Sequence, residues 1–458
     1  MSVVLLFLLV IGLLIIGVPI AISIGLSSIL YLLVLSDTSM ASIAQSIYQA
    51  MASHYTLLAI PFFILASTFM TTGGTARRII RFSIAIVGHF PGGLAIAGVF
   101  ACMLFAALSG SSPATVVAIG SIVIAGMREV GYSKEFSAGI ICNAGTLGIL
   151  IPPSIVMVVY CSATDVSVGR MFLAGVIPGL IAGGMLMISI YILAIYKNLP
   201  RGQWLGWKEV FVSARDAGWG LILIVIILGG IYGGVFTPTE AAAVAAVYAF
   251  FIANFIYRDI GPLVQPRDGS SLALSTQLKS VFTVFFHHDN IDTLYQAGKL
   301  TVTLLFIIAN ALILKHVLTE QQVPQQIAEA ILDSGFGPVV FLILVNLILL
   351  IGGQFMEPSG LIVIVAPLVF PIAIELGINP LHLGIIMVVN MEIGMVTPPV
   401  GLNLFVTSGV ANMSVFDVIR AAFPFLGILF IFLIIVTYVP SISTFLPTLL
   451  MGEEIVTR

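Results

Sequence analysis

Ser109-Gly-Ser-Ser-Pro-Ala-Thr115 is an island of small, mostly polar residues inside a long apolar run. Residues 94–108 precede it and residues 116–127 follow it, and neither flank carries a charge. Each flank is about half as long as the ~20 apolar residues that a spanning helix needs. Two half-spans that meet at a Ser/Gly/Pro tip predict a re-entrant helical hairpin. Lipid offers no partner to free backbone groups, so such a tip must rest against protein or a watery cavity. The same seven residues also fit one continuous helix with a proline kink and serines bonded back to their own turn. The tip alone leaves both readings open.

The composition places the whole chain in a membrane. Of 458 residues, 60% are hydrophobic and 8% charged, against about 25% charged in an ordinary globular domain. A net charge of −3 argues against a nucleic-acid partner. The cysteines Cys102, Cys142 and Cys161 lie in apolar runs and form no CxxC pair, which speaks against a disulfide framework or a zinc site. His287-His288 falls in a polar stretch and reads as solvated. The N-terminal apolar run has no basic leader and no evident cleavage site, so it reads as a retained first helix.

Around the tip the chain orders itself as follows. Residues 2–35 form a first span, kinked or broken at Gly17-Val-Pro19, and residues 47–70 a second. Thr72-Gly-Gly-Thr-Ala-Arg-Arg-Ile-Ile-Arg81 suits a helix lying in the interface and ending near Gly88-His-Phe-Pro91. The hairpin follows. Residues 136–149 and 155–161 then flank Ile151-Pro-Pro-Ser154, a span broken in its middle because the two prolines lack backbone donors. Residues 171–196 span again, with Gly175, Gly179 and Gly183 on a smooth packing face. Residues 197–215 are expected as a polar loop with Trp204 and Trp207 as interface anchors. Two more spans, 219–235 and 241–257, meet at Phe236-Thr-Pro-Thr-Glu240, where Glu240 reads as a helix cap. The longest polar segment, 258–299, is expected as a loop with a surface helix near 278–286.

The second half repeats the first. Pro358 lies 245 residues after Pro113, Gly377 lies 246 after Gly131, and Pro398-Pro399 lies 246 after Pro152-Pro153. Gly335, Pro338, Ser414 and Pro424 answer Gly88, Pro91, Ser167 and Pro178 at 246 or 247. This register is the signature of an internal duplication. It resolves the tip as a hairpin and places a second hairpin tip at Gln354-Phe-Met-Glu-Pro-Ser359 and a second broken span at Asn390-Met-Glu-Ile-Gly-Met-Val-Thr-Pro-Pro399. The first interfacial segment carries Arg77, Arg78 and Arg81, whereas its copy carries Glu320, Glu329 and Asp333 and no Lys or Arg. Lys and Arg favour the cytoplasmic side, so the copies face opposite sides and the repeat is inverted. Threading from that anchor puts the N-terminus in the cytoplasm and the C-terminus outside.

The expected fold is therefore an all-α polytopic membrane protein with an inverted repeat, two re-entrant hairpins and two broken spans. The expected divisions are scaffold helices at 1–72, repeat 1 at 73–196, a loop and scaffold helices at 197–257, a cytoplasmic loop at 258–298, repeat 2 at 299–447 and a tail at 448–458. Half-helix ends at the midplane are a transporter design: their N-terminal ends suit anions, and their exposed carbonyls and hydroxyls suit sodium. The tips and breaks supply Ser109, Ser111, Ser112, Thr115, Asn143, Thr146, Ser154, Glu357, Ser359, Asn390, Glu392, Thr397 and Asn403, all oxygen donors of the kind a hard cation prefers. Glu357 and Glu392 each sit amid apolar sequence, where a charge costs about 2.5–3.5 kcal/mol. They read as cation ligands, proton carriers or gate residues, or else as helix-end carboxylates bonded to backbone amides. No Walker lysine, HExxH pattern or Ser-His-Asp arrangement occurs, and no organic cofactor is expected.

These blocks, together with Asn143-Ala-Gly-Thr-Leu-Gly-Ile-Leu-Ile-Pro-Pro-Ser154, Phe236-Thr-Pro-Thr-Glu-Ala241 and Asn390 through Asn403-Leu-Phe405, resemble the large membrane subunit of tripartite ATP-independent periplasmic (TRAP) transporters over nearly the whole chain. The segment from Arg258 to Gly298 looks longer than is usual there. The resemblance implies a sodium-driven importer of small organic anions, C4-dicarboxylates first among them, in a bacterial inner membrane. It implies two partners, a smaller four-helix membrane subunit on a separate chain and a soluble periplasmic substrate-binding protein, and an elevator motion of the hairpin domain against a static scaffold. Carried over by motif, sodium would lie at Ser109 and Ser112 with Asn143, Gly145 and Thr146, and at Glu357 and Glu392 with Gly394 and Thr397. Substrate would lie near Ser111, Ser154, Thr397 and Asn403. The rival readings are a stand-alone sodium–anion symporter, disfavoured because neither tip has a Ser-Asn-Thr triplet, and an intramembrane enzyme built on the buried carboxylates.

Overall fold

The structure is a computed structural model that describes residues 2–453 except 36–39, 54, 73, 265–273, 324, 328, 330–333 and 335–336. It is helical throughout, and the described residues carry no strand beyond one isolated bridge between Pro91 and Arg201. Seven helices among the described residues are long and apolar enough to cross a membrane. Hairpin 1 is Gly93–Ser109 and Ser112–Glu129, and hairpin 2 is Pro338–Gly353 and Pro358–Glu375. The first broken span runs Lys134–Ala144, tightens to a 3₁₀ turn at Gly145–Ile149 and resumes at Ile155–Thr164. The second runs Pro380–Gly394 and resumes at Leu402–Ala411. Both Pro-Pro bonds are cis.

The two copies interlock. Lys134–Ala144 of repeat 1 packs against Val415–Tyr438 of repeat 2, and Pro380–Gly394 of repeat 2 packs against Val168–Tyr196 of repeat 1. Glycine permits the first of these contacts. A Cβ on Gly139 would stand 2.1 Å from the Ala421 carbonyl oxygen, so the backbones meet only because that atom is missing. Glycine also opens the second contact, since a Cβ on Gly384 would meet the Met171 side chain at 2.7 Å.

Outside the repeats stands a wall of long helices. Ala59–Thr72 packs against Pro238–Phe251 through a small-residue face of Ala241, Ala242, Ala245, Ala246 and Ala249, all buried. Thr237 and Glu240 form a reciprocal capping box at the start of the latter helix, as the sequence predicts for Glu240. His288–Glu320 packs against Ala59–Thr72 and against Pro358–Glu375 of hairpin 2. The interfacial arm is Thr75–Val87. Arg81 bridges from it to Glu209 at 2.6 Å and to Asp216 at 2.9 Å.

The break expected at Gly17-Val-Pro19 is present: residues 2–35 form two helices, Ser2–Ile15 and Ile20–Leu35, because Gly17 turns the chain at φ 87° and Pro19 follows. Two expected loops are shorter than the sequence suggests. The expected loop at 197–215 becomes helical from Trp207, since Glu209 and Asp216, which read as loop charges, are paired with Arg81 of the arm. Within 258–298 the surface helix expected near 278–286 lies at Leu274–Thr283, and the loop ends early, at the start of His288–Glu320. His287 caps that start by accepting from the Asp289 backbone, and Asn290 and Asn254 exchange amide hydrogen bonds at 2.8 and 3.1 Å. The C-terminal region is helical through Met451, past the expected start of a tail at 448. Much of the second arm, including Asp333, lies outside the described residues.

If the two copies depend on backbone contact at Gly139, then Gly139→Ala forces a separation that costs about 1–3 kcal/mol as an overpacking change. Thermal unfolding of the purified chain should show a midpoint several degrees lower. Gly126→Ala, whose Cβ would meet nothing within 4 Å, should leave the midpoint unchanged or slightly raised. Equal behaviour of the two variants would refute the close-packing argument.

Candidate functional site: the paired hairpin tips

The tip of hairpin 1 is two residues of non-helical chain, Gly110 and Ser111. Gly110 adopts φ 57°, the left-handed region that glycine enters without steric cost. A Cβ there would also meet the Pro153 carbonyl oxygen at 3.0 Å, so this tip is pressed against the first Pro-Pro break. Ser109 and Thr115 share a hydrogen bond of 2.8 Å across the turn. Thr115 also donates to the Ser111 carbonyl at 2.9 Å. The helix that leaves this tip has Ser111 at its N-cap with no side-chain capping bond and Pro113 in its first turn.

The tip of hairpin 2 is closed differently. Glu357 occupies the N-cap. One of its carboxylate oxygens accepts from the Gly360 backbone at 3.1 Å and the other from the Ser359 hydroxyl at 3.0 Å. The tip is tied to its own broken span by the Gly401 amide, which donates to the Gln354 carbonyl at 3.0 Å. Gly353 and Gly394 touch so closely that a Cβ on Gly394 would stand 2.7 Å from the Gly353 carbonyl carbon. Gly148, 246 residues earlier, fills the matching role under hairpin 1, where a Cβ would stand 2.6 Å from the Ser111 carbonyl oxygen.

Of the hydrogen bonds that join the halves, two lie at the tips and breaks. The Thr146 hydroxyl lies 2.7 Å from Glu392 Oε1, and the two residues are 246 positions apart, which is the repeat offset. Equivalent positions of a two-fold repeat touch each other only near the axis, so this contact marks it. Asn403 of repeat 2 donates to Ser112 of hairpin 1 at 2.6 Å. Around these contacts lie buried oxygens to which nothing donates: Asn143 Oδ1, Asn390 Oδ1, Glu392 Oε2 and Asn403 Oδ1. Their orientation follows from their partners. The Asn143 nitrogen faces the carbonyls of Gly139 and Ala422 at 2.9 and 3.1 Å. The Asn390 nitrogen faces the Ile386 carbonyl and Asn346 Oδ1 at 2.8 and 2.6 Å. Acceptors bind donors, so the side-chain oxygens are the atoms left over. Buried acceptors without donors are rare, and all four are hard oxygens suited to an alkali or alkaline-earth cation.

One cavity of about 490 Å³ opens between the tips and the outer wall. Ser111, Ser112 and Pro113 border it from one tip and Glu357, Pro358 and Ser359 from the other. Ser67, Thr68, Thr71 and Thr72 on one wall helix and Gln296 and Thr303 on another complete its polar lining. Among the described residues Glu357 is the only charged side chain in that lining.

The structure distributes the sequence-derived site residues unevenly. Ser111, Ser112 and Glu357 border the cavity. Asn143, Thr146, Glu392 and Asn403 lie fully buried behind it. Ser109 braces the tip. Ser154 and Thr397 are outside the cavity lining; Ser154 donates to the Ile149 carbonyl at 2.6 Å and caps the next half-helix, and Thr397 donates to the Ile393 carbonyl at 2.7 Å. The wall residues Thr68, Thr71, Thr72, Thr303 and Gln296 were missed, because hydroxyls spaced along apolar helices look like ordinary intrahelical back-bonders. Only the opposing tips show what they face.

Comparison with known proteins agrees with this architecture. Residues 7–442 match the family model described as "Tripartite ATP-independent periplasmic transporter, DctM component". The chain is 72% identical over 458 residues, covering all of both chains, to the C4-dicarboxylate TRAP transporter large permease protein DctM of Vibrio cholerae. It is 58% identical over 425 residues, 93% of each chain, to the protein of the same name from Pseudomonas aeruginosa. The fold also matches the crystal structure of the Alcanivorax borkumensis YdaH transporter with a TM-score of 0.61 over 90% of this chain and 91% of that one, at 13% identity. The hairpins, the broken spans and this match over nearly the full length agree: the chain is a multi-pass membrane protein of the DctM family, the large permease component of TRAP transporters.

Proposed function

We propose that this chain is the transport pathway of a sodium-driven importer of small organic anions, with C4-dicarboxylates as the preferred class. It receives substrate from a periplasmic binding protein and works with a smaller membrane subunit on a separate chain. The observation that carries sodium coupling is the charge of the cavity. Among the described residues its lining holds one carboxylate and no Lys, Arg or His. A dianion entering such a space needs positive charge that the lining side chains do not supply. Helix N-termini provide part of it, and cations held on the donorless oxygens behind the tips provide the rest. The names of the Vibrio and Pseudomonas relatives support the C4-dicarboxylate class. The basic residues Arg77, Arg78, Arg81, Arg128 and Lys134 favour a cytoplasmic N-terminus and a periplasmic C-terminus.

The two tips divide the work. Hairpin 2 starts with its own carboxylate on its amides, so that helix end repels an anion and attracts a cation. Hairpin 1 starts with no side-chain cap and presents Ser111 and Ser112 to the cavity. A substrate carboxylate therefore docks at hairpin 1, and the Glu357 end is the cation side. On the opposite wall Thr68, Thr71, Thr72 and Thr303 already donate to carbonyls of their own helices. Gln296 keeps its amide donors free for the distal carboxylate. An elevator motion, in which the hairpin domain slides along this wall, is the mechanism that the division into tips and wall favours.

Reconstituted in proteoliposomes with its small partner, and with the binding protein outside, the chain should take up a C4-dicarboxylate only under an inward sodium gradient. Uptake that ignores sodium would overturn the coupling, and uptake without any binding protein would favour a stand-alone symporter. Within the same assay Gln296→Leu should slow subsaturating dicarboxylate uptake about tenfold, the loss of one hydrogen bond to a charged group. A monocarboxylate analogue should be affected far less; equal losses for both would remove Gln296 from substrate contact. Ser111→Ala should slow both, since both present a carboxylate to hairpin 1.

A further inference from the structure

We propose that a second pocket, at the joint between the arm and the wall, holds the headgroup of an anionic phospholipid. The pocket has a volume of about 550 Å³ and is bordered by Arg77, Arg258, Asp259, Tyr257, Ile256 and Val264. It sits where the spanning helix Pro238–Tyr257 ends and the interfacial arm Thr75–Val87 begins, that is, at headgroup depth. Arg258 turns the chain there with φ 53°. Its guanidinium uses only Nε, which donates to the Phe255 carbonyl at 3.1 Å. Arg77 is 68% exposed and reaches Asp259 only at 3.4 Å.

Among the described residues Asp259 is the sole carboxylate in the lining, and it is already engaged. Its other oxygen is bound by Arg78, which also lies 3.8 Å over the Tyr257 ring. Of the other carboxylates nearby, Asp289 accepts from the Gly261 amide at 3.0 Å, and Glu209 and Asp216 are both bound to Arg81. Arg77 and Arg78 thus share one carboxylate, Arg258 has none, and Arg77 and Arg258 border the cavity with N–H groups to spare. That fork matches phosphate oxygens in pairs. The apolar side of the pocket argues for a lipid over a free ion. Ile256 and Val264 border the pocket while 44% and 42% exposed, so they offer contact to a glycerol and acyl chain that inorganic phosphate does not have. Basic pockets between spanning helices at the membrane surface bind anionic headgroups on these terms. A lipid seated here bridges the arm to the wall, alongside the Arg81 pairs.

The test uses the full chain purified in mild detergent, with phosphatidylglycerol and phosphatidylcholine of the same acyl chains added in turn. Native mass spectrometry should show phosphatidylglycerol retained about tenfold better than phosphatidylcholine, and thermal unfolding should shift upward with phosphatidylglycerol alone. Arg77→Gln with Arg258→Gln should abolish the preference, and the paired lysine substitutions should restore part of it. The wild-type comparison stands even if a variant does not fold. Equal retention of the two lipids would overturn the proposal, as would an undiminished preference in the glutamine variant. Displacement of phosphatidylglycerol by millimolar inorganic phosphate would reassign the pocket to a soluble anion.

Discussion

A chain that breaks its helices inside a membrane leaves amides and carbonyls that lipid cannot satisfy. Each buried, unpaired polar group costs about 1–3 kcal/mol, and this chain makes four such interruptions, two hairpin tips and two broken spans. Most of the repairs come from another element. Hairpin 1 rests on the first Pro-Pro break, Gly401 donates to the tip of hairpin 2, Asn403 reaches across to Ser112, and Thr146 meets Glu392 on the repeat axis. The halves are joined because their interruptions complete each other. Several oxygens remain without donors among the buried polar residues of these breaks, which is why the proposed cation is placed there.

The inverted repeat supplies symmetry of backbone, and the side chains break it where the chemistry needs two different ends. One tip carries serines and an uncapped helix start. The other carries a glutamate that caps its own helix. A perfectly symmetric pair would present either two anion sites or two cation sites to one cavity. On the function proposed above, the divergence between Ser111-Ser112-Pro113 and Glu357-Pro358-Ser359 would suit the same scaffold to an anion beside a cation.

The wall is built for permanence. The alanine face of Pro238–Phe251 allows close packing on Ala59–Thr72, and the Arg78–Asp259 and Arg81–Glu209 pairs fasten the arm at the membrane surface. On the side facing the tips, the same wall helices place hydroxyls whose protons are committed to their own carbonyls. Such a surface is polar enough to stay wetted, yet few of its donors are free to grip substrate.

The sequence by itself determined the membrane environment, the duplication, the two tips and the two breaks, because these depend on local rules: apolar length, the missing donors of proline, and a register that recurs near 246 residues. It located Ser111, Ser112, Glu357, Asn143, Thr146, Glu392 and Asn403 by the cost of polar atoms in apolar runs. It misplaced helix starts at Trp207 and His288, where charged residues looked like loop until their partners on other elements were visible. Only the tertiary structure decided that Ser154 and Thr397 are spent on their own helices, that Glu357 caps hairpin 2, and that Gln296 and the wall hydroxyls face the tips. Those outcomes rest on which side chains share a space, and residues hundreds of positions apart come to share one only when the halves interlock.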